Sequence, residues 1–190
     1  MTAQGGRGSP LAPFANREHR GEMLKPQDVM VALKIAAGKG EPWTYASLGA
    51  SLGMSASGVH ESVQRASKAG LLTADERLPV KSALIEFLVH GLKYAFPPER
   101  GRATRGMPTS TSAPPLSERL AAGDEPPLVW PDREGTVRGE SLEPLYASAP
   151  QAAARDPKLY ALLAVTDALR VGTAREREVA RAVLRELLTA

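Results

Sequence analysis

Two glycines four residues apart, Gly49 and Gly53, constrain the fold of this chain more than any other feature. Each follows a short apolar stretch with helical spacing. Gly49 lacks the side chain that would hold two crossing helices apart, and Gly53 tolerates the positive φ of a tight turn. Val59, six positions after Gly53, can then anchor the second helix in a core. The pattern predicts two short helices that cross steeply.

Capping residues predict where the helices of the N-terminal half begin and end. Pro26 suits the first position of a helix, where its missing N–H costs nothing. Thr44 and Ser55 are side chains that cap helix N-termini, and Gly70 suits the end of the third helix. A further apolar stripe with helical spacing predicts a fourth helix over about residues 81–94.

The last third of the chain carries signals for two more helices. Asp156 is an N-cap residue followed by Pro157 at the first helical position. Gly172 interrupts the apolar stripe, and Thr173 with Glu176 forms a capping box that starts the final helix. Two amphipathic helices joined by so short a turn predict a helical hairpin.

The fold class expected from these patterns is mainly α, with a helix-turn-helix domain and a C-terminal helical hairpin. Between them, a stretch rich in Pro, Ser, Thr and Gly indicates a linker. Two short apolar stretches near Trp130 and Val137 indicate a weak β-hairpin. The expected parts are a flexible basic arm (1–22), the helix-turn-helix domain (23–96), a Pro-rich linker (97–127), and a C-terminal region with the hairpin and two helices (128–190).

Composition narrows the classes of function. The 190 residues include no cysteine, which excludes disulfides, thiolate zinc sites and iron–sulfur clusters. The three histidines lack metal-ligand spacing, and no convergent catalytic set or nucleotide motif is present, so we expect neither an enzyme nor a cofactor. No apolar run approaches the roughly 20 residues that cross a bilayer, so we expect a cytoplasmic protein with no membrane partner. A net charge of +3 and a pI near 9.3 suit a polyanion but are also common in ordinary proteins.

The segment that begins at Thr44 carries a resemblance to a known family. It reads TYASLGASLGMSASGVHESVQR and resembles the helix-turn-helix of winged-helix bacterial regulators, MarR-like ones among them. The phrase ASKAGLL that ends at Leu72 is similar to the end of such a domain, and the resemblance covers about residues 24–80. It implies transcriptional control through binding of double-stranded DNA. Only residues 73–79 separate Leu72 from the next helix, so the wing is expected to be short or absent.

The third helix is the expected DNA-contacting element. A helical wheel with Val59 facing the core places polar residues on the opposite side and its flanks. With the cap, the candidate site comprises Ser55, Ser57, His60, Glu61, Gln64, Arg65 and Lys68. Gln64 suits adenine and His60 suits a guanine acceptor, whereas Arg65 and Lys68 suit phosphate. Glu61 would accept from cytosine or hold a neighbouring arginine. Each of these side chains can also be read as an ordinary solvated surface residue.

Other basic residues leave alternatives open. One group lies in the arm and near it, and a second follows the fourth helix: Arg7, Arg17, Arg20 and Lys25; Lys93, Arg100, Arg102 and Arg105. Both can supplement phosphate contacts, but the second can equally be a solvated linker.

The C-terminal third resembles a region that follows the helix-turn-helix in certain bacterial proteins, through the phrases LVWP, EPLY and DALRVGTARER. That resemblance implies no activity. The arginines at 177, 181 and 185 form either a solvated edge or a surface for an acidic protein. We expect a homodimer on two-fold DNA, with the terminal helices as the candidate interface. The alternative is an interaction module, an antitoxin or adaptor, that binds a partner protein through these helices.

Overall fold

A computed structural model of the chain describes residues 23–121 and 123–189, so the predicted arm at 1–22 lies outside the described residues. The described part is mostly helical with a small three-stranded mixed sheet. The helices are α1 (Pro26–Ala37), α2 (Tyr45–Leu52), α3 (Ala56–Lys68), α4 (Lys81–Glu86), α5 (Leu92–Ala95), α6 (Ala149–Arg155), α7 (Pro157–Val171) and α8 (Ala174–Thr189). The strands are β1 (Arg100–Pro108), β2 (Leu128–Pro131) and β3 (Val137–Leu142). A π-helical turn, Phe87–Gly91, joins α4 to α5, and a 3-10 turn, Ser110–Ser112, follows β1.

Local capping signals placed the helix starts correctly. The Thr44 hydroxyl accepts the Ser47 N–H at 3.0 Å, and the Ser55 hydroxyl accepts the Gly58 N–H at 3.0 Å. Each bond satisfies a backbone donor that the first helical turn leaves without a partner. The fourth predicted helix is present as the continuous run from α4 to α5.

The C-terminal helical hairpin is also present. The Asp156 carboxylate accepts the N–H groups of Lys158 and Leu159 at 3.0 and 3.1 Å. At the start of α8, the Thr173 N–H donates to Glu176 at 2.6 Å, and the Glu176 N–H donates back to the Thr173 hydroxyl at 3.4 Å. These two bonds form the predicted capping box at the start of α8. The apolar faces of α7 and α8 pack together, as expected for a helical hairpin.

The predicted linker at 97–127 is wrong. Strand β1 occupies residues 100–108, and part of the stretch that follows is packed inside the protein, with Thr109 and Leu116 fully buried, whereas residues 117–119 and 123–126 are exposed. The predicted hairpin of β2 and β3 is wrong as well, because these two strands run parallel to each other. Strand β1 pairs antiparallel with both, so each of the three strands contacts the other two. Helix α6 was not predicted.

Glycines make this small closed sheet possible. Gly106 on β1 lies against the Trp130 carbonyl, and Gly139 on β3 lies against the Pro127 carbonyl. Neither position has room for a Cβ, and the buried side chain of Val129 lies beside both. Gly106, which the sequence assigned to a flexible linker, and Gly139 are therefore required for close packing of the strands.

A buried carboxylate joins the sheet to α7. Asp167 accepts hydrogen bonds from Trp130 Nε1 at 2.6 Å, from Thr109 Oγ1 at 2.8 Å and from the Arg170 guanidinium at 2.7 Å. Burial raises the pKa of Asp167, and the Arg170 charge and the two neutral donors oppose that rise. Arg170 in turn donates to the Phe96 carbonyl at 3.2 Å. This network fixes β2 and the end of β1 on α7.

The N-terminal helices and the hairpin share one apolar core. The run from Val29 to Leu33 on α1 is completely buried, and it contacts both α3 and α7. Helix α2 likewise contacts α6. Near the contact between α1 and α7, Lys34 of α1 forms an ion pair with Asp156, the N-cap of α7, at 2.6 Å. The helices that carry the candidate site are therefore linked to the C-terminal region through α1, which contacts α7, and through α2, which contacts α6.

The pair of Lys34 and Asp156 predicts an acid-sensitive contribution to stability. Burial opposes ionisation of Asp156, but hydrogen bonds from Lys34 and from the Leu159 and Lys158 N–H groups lower its pKa below the ordinary 3.8. Because folding lowers this pKa, the carboxylate stabilises the fold at higher pH, and the stabilisation is lost as the pH falls through the folded value. We expect wild type to melt above Asp156→Asn near neutral pH and this difference to shrink below about pH 4. A Tm difference independent of pH, matching that of the exposed control Asp124→Asn, would contradict the assignment.

In the described ranges, no helix combines the length and apolar character needed to cross a membrane.

Candidate nucleic-acid interface

Helices α2 and α3 cross at the two glycines that the sequence singled out. A Cβ on Gly49 would lie only 2.6 Å from the Met54 carbonyl oxygen, so any side chain here would push the turn away from α2. Gly53 has φ +66° and ψ +34°, in the left-handed region that favours glycine. The Met54 N–H donates to the Gly49 carbonyl at 2.9 Å and closes the turn. The predicted roles of both glycines are confirmed.

The start of α6 supports this turn. The Ser148 hydroxyl donates to the Leu52 carbonyl at 2.5 Å, at the end of α2. A Cβ on Gly53 would lie 3.2 Å from the Ser148 Cβ, so the turn is in close contact with this residue. The C-terminal region therefore contributes directly to the position of α2 and α3.

Helix α3 has one buried and one polar side. Val59, Val63 and Ala66 are buried, as the wheel predicts, and Ser62 is buried with them. Six of the candidate residues are exposed: Ser55, Ser57, His60, Glu61, Gln64 and Lys68. Ser55 has a structural role as the N-cap, and its hydroxyl lies 3.1 Å from that of Ser57. The other five form a continuous polar surface on one side of the helix.

Arg65 corrects the prediction. It is only 7% exposed, and its Nε and Nη2 atoms donate to the two oxygens of fully buried Asp28, each at 2.8 Å. The hydrogen bond to Asp28 raises the pKa of Arg65 against the opposing effect of burial. The exposure expected of Arg65 is therefore wrong, and its guanidinium is paired with Asp28 instead of being presented to phosphate. Its place on the flank of the wheel lets a long side chain reach α1, whose Asp28 is 37 residues away in sequence.

The pair of Asp28 and Arg65 fixes the orientation of α3. Asp28 also accepts the Lys25 N–H at 2.7 Å, which ties the pair to the first turn of α1. Arg65 contacts the Ser62 hydroxyl at 3.4 Å and Glu61 at 3.5 Å. A planar guanidinium held by two parallel hydrogen bonds has little freedom to rotate. Because the positive charge of Arg65 is paired with Asp28, other cations must supply any phosphate contact.

A cluster of rings and one guanidinium extends the polar side of α3. The Tyr45 ring, at the first residue of α2, meets the His60 ring edge-on with centroids 4.9 Å apart. Trp43 packs edge-on against Tyr45 at 5.6 Å, and the Arg77 guanidinium lies 5.2 Å from the Tyr45 centroid. His60 Nε2 lies 3.4 Å from the Gln64 amide nitrogen. We define the α3 outer face as the following side chains of α3 and its neighbours: Ser57, His60, Glu61, Gln64, Lys68, Tyr45 and Arg77.

Arg77 lies in a minimal hairpin that follows α3. Leu72 and Pro79 form a single antiparallel bridge, and the Thr73 N–H donates to the Leu78 carbonyl at 2.8 Å. Arg77 has φ +56°, and its side chain is exposed. Trp43, Tyr45 and Arg77 were not predicted from the sequence as members of the site. Arg77 could have been found, since it is the basic residue of the short segment expected at the wing position.

The α3 outer face offers hydrogen-bond donors, acceptors and cations. Its amide, imidazole, hydroxyl and carboxylate groups suit recognition of base edges, and Lys68 and Arg77 suit phosphate oxygens. Across the described residues, no three acidic or histidine side chains lie close enough together to hold a metal ion. Comparisons with models of protein families, with curated proteins and with solved structures found no match to this chain.

Proposed function

We propose that this protein binds double-stranded DNA, with α2 and α3 acting as a helix-turn-helix and α3 lying in the major groove. One observation carries the proposal: the polar outer face of α3 is presented by a helix crossing that Gly49 and Gly53 make possible. The major groove, about 12 Å wide, admits an α-helix. A rigid helix with a polar exposed side and a buried apolar side meets that requirement.

Each side chain of the outer face has a proposed role. Gln64 offers its amide to the N6 and N7 atoms of adenine, and His60 donates to a guanine acceptor. Glu61 accepts from the cytosine amino group. Lys68 and Arg77 contact phosphates, with the hairpin of residues 71–80 serving as a short wing. Arg65 is a positioning residue that acts through Asp28.

We also propose that the protein regulates transcription, and that it acts as a homodimer because one helix can read only a small number of bases. A two-fold symmetric dimer would place two copies of α3 on the DNA and double the number of bases that are contacted. The apolar stripe of α8, at Ala180, Val183, Leu184 and Leu188, is buried within the chain. That stripe therefore offers no argument for a dimer interface on the terminal helices.

A protein-binding role for the arginine edge of α8 has less support. Arg177 donates to the Gly172 carbonyl, and Arg181 pairs with Glu178 at 3.0 Å. Two of the three arginines thus have partners within the chain, so we do not extend the proposal to an acidic protein partner.

The proposal is tested by selecting duplexes from a randomised library and measuring affinity by fluorescence anisotropy. The double variant His60→Ala/Gln64→Ala is expected to bind the selected duplex at least about 30-fold more weakly, because each of the two base contacts contributes about 1–3 kcal/mol of discrimination. Binding to unrelated duplexes should change little. The matched control is His90→Ala/Gln151→Ala, which removes the same groups at exposed positions outside the outer face. A library that yields no enriched sequence, or equal affinities for the two double variants, would argue against the proposal.

A further inference from the structure

Two arginines lie side by side on the outer surface of the small sheet. Arg105 of β1 and Arg138 of β3 are directly opposite each other in the antiparallel register, and both are exposed. Their neighbours Gly106 and Gly139 face the interior of the sheet, beside Val129. Because side chains alternate along a strand, Arg105 and Arg138 point away from that interior. Directly opposed residues have Cβ atoms about 5 Å apart, so one anion can contact both guanidinium groups.

Neither arginine has an ion-pair partner among residues 23–121 and 123–189. Arg100 on the same strand differs, since it pairs with Glu140 at 3.2 Å. Asp132 lies beside Arg105 at the end of β2, and its N–H donates to the Arg105 carbonyl at 3.3 Å. The Asp132 carboxylate accepts the Glu134 N–H at 3.1 Å and makes no salt bridge to Arg105. Like charges placed directly opposite in a sheet repel, and a bound anion would remove that repulsion.

We propose that Arg105 and Arg138 form a second phosphate-binding surface that contacts the backbone of the bound duplex. This inference rests on the proposed function. Arginine binds phosphate through two parallel hydrogen bonds, and contacts to phosphate fix a protein on DNA without reading sequence. The surface carries no large exposed apolar side chain; those described are Met23, Leu78 and Tyr94, all outside the strands. A protein interface needs an apolar centre, so nucleic-acid phosphate fits this surface better than an acidic protein.

The test compares two double variants with equal loss of charge. Arg105→Gln/Arg138→Gln removes the proposed surface, and Arg175→Gln/Arg185→Gln removes two exposed arginines from α8. Affinity for the selected duplex and for an unrelated duplex is measured across a salt series. We expect the sheet variant to lower the salt slope by about 1.8, that is two contacts at roughly 0.9 each. Affinity should fall by the same factor for both duplexes, with no loss of Tm and no such change in the α8 variant.

Each remaining outcome overturns a distinct claim. Equal slopes for the sheet and α8 variants, with the His60/Gln64 variant still impaired, would overturn the second surface and leave the proposed function standing. A lowered slope in the sheet variant with no effect of the His60/Gln64 changes would overturn the role of α3 instead. Absence of duplex binding by wild type overturns both. Poly-L-glutamate that competes as well as duplex DNA at equal charge would indicate an acidic protein partner and contradict the phosphate assignment.

Discussion

Replacing Asp28 with alanine is expected to lower the free energy of unfolding by about 3–5 kcal/mol. The Arg65 guanidinium would remain in a site that is only 7% exposed, with both of its short hydrogen bonds gone. Glu61 cannot fully replace Asp28, because its contact with Arg65 is long at 3.5 Å and its side chain is 63% exposed to solvent. The cost arises from an uncompensated buried charge, so it should exceed that of any exposed substitution on α3.

Urea unfolding of three variants measures this effect. Asp28→Ala should be the least stable. The double variant Asp28→Leu/Arg65→Met should recover most of the loss, because an apolar pair of similar volume often replaces a buried ion pair without penalty. Glu61→Ala, which removes only an exposed partner, should cost less than about 1 kcal/mol. A loss below about 1 kcal/mol for Asp28→Ala would show that Arg65 finds solvent or another acceptor.

The double variant Asp28→Leu/Arg65→Met also tests whether Arg65 only positions α3 or contacts phosphate itself. If Arg65 acts only by orienting α3, Asp28→Leu/Arg65→Met should keep the salt slope of wild type. If Arg65 reaches phosphate in the complex, the slope should fall by about 0.9.

Replacing Asp167 with alanine is expected to destabilise the protein by about 3–5 kcal/mol as well. Its carboxylate is the common acceptor for Arg170, Trp130 and Thr109, and all three donors would lose that partner in a buried site. The Arg170 side chain is 4% exposed and would keep only longer contacts to backbone carbonyls. The expected result is loosening of the sheet from α7.

Calorimetry with a graded series checks the origin of this loss. Asp167→Asn retains one oxygen acceptor but loses the charge, so it should lie between wild type and Asp167→Ala. Trp130→Phe removes only the indole donor and some volume, and it should cost less than Asp167→Ala. The exposed control Asp124→Ala should change stability by no more than about 0.5 kcal/mol. If Asp167→Ala behaves like that control, the network does not hold the sheet in place.

Local chemistry explains which elements could be predicted from sequence. Thr44, Ser55 and Asp156 cap their helices through bonds that span no more than three residues, so the pattern contains all that is needed. Gly49 and Gly53 were predictable for the same reason. The exposure of Ser57 and Gln64 followed from helical periodicity once Val59 was assigned to the core.

The missed features depend on partners distant in the chain. Gly106 looked like part of a flexible linker because nothing nearby reveals that the Trp130 carbonyl packs against it. Strands β2 and β3 are close in sequence and so suggested a hairpin. In the structure, both pair antiparallel with β1, and they run parallel to each other. Arg65 was assigned to solvent because its acceptor, Asp28, belongs to another helix. A helical wheel gives the direction of a side chain, and a long flanking side chain can still turn to a buried partner.

The most direct measurement is an amide NMR titration of the protein with the selected duplex. The account predicts chemical-shift changes at the amides of Ser57, His60, Glu61 and Gln64, with further changes at Tyr45 and Arg77. Amides on the buried side of α3, such as Val63, should respond less. Changes confined to α7 and α8, with the α3 amides unmoved at saturating duplex, would contradict the claim that this helix contacts DNA.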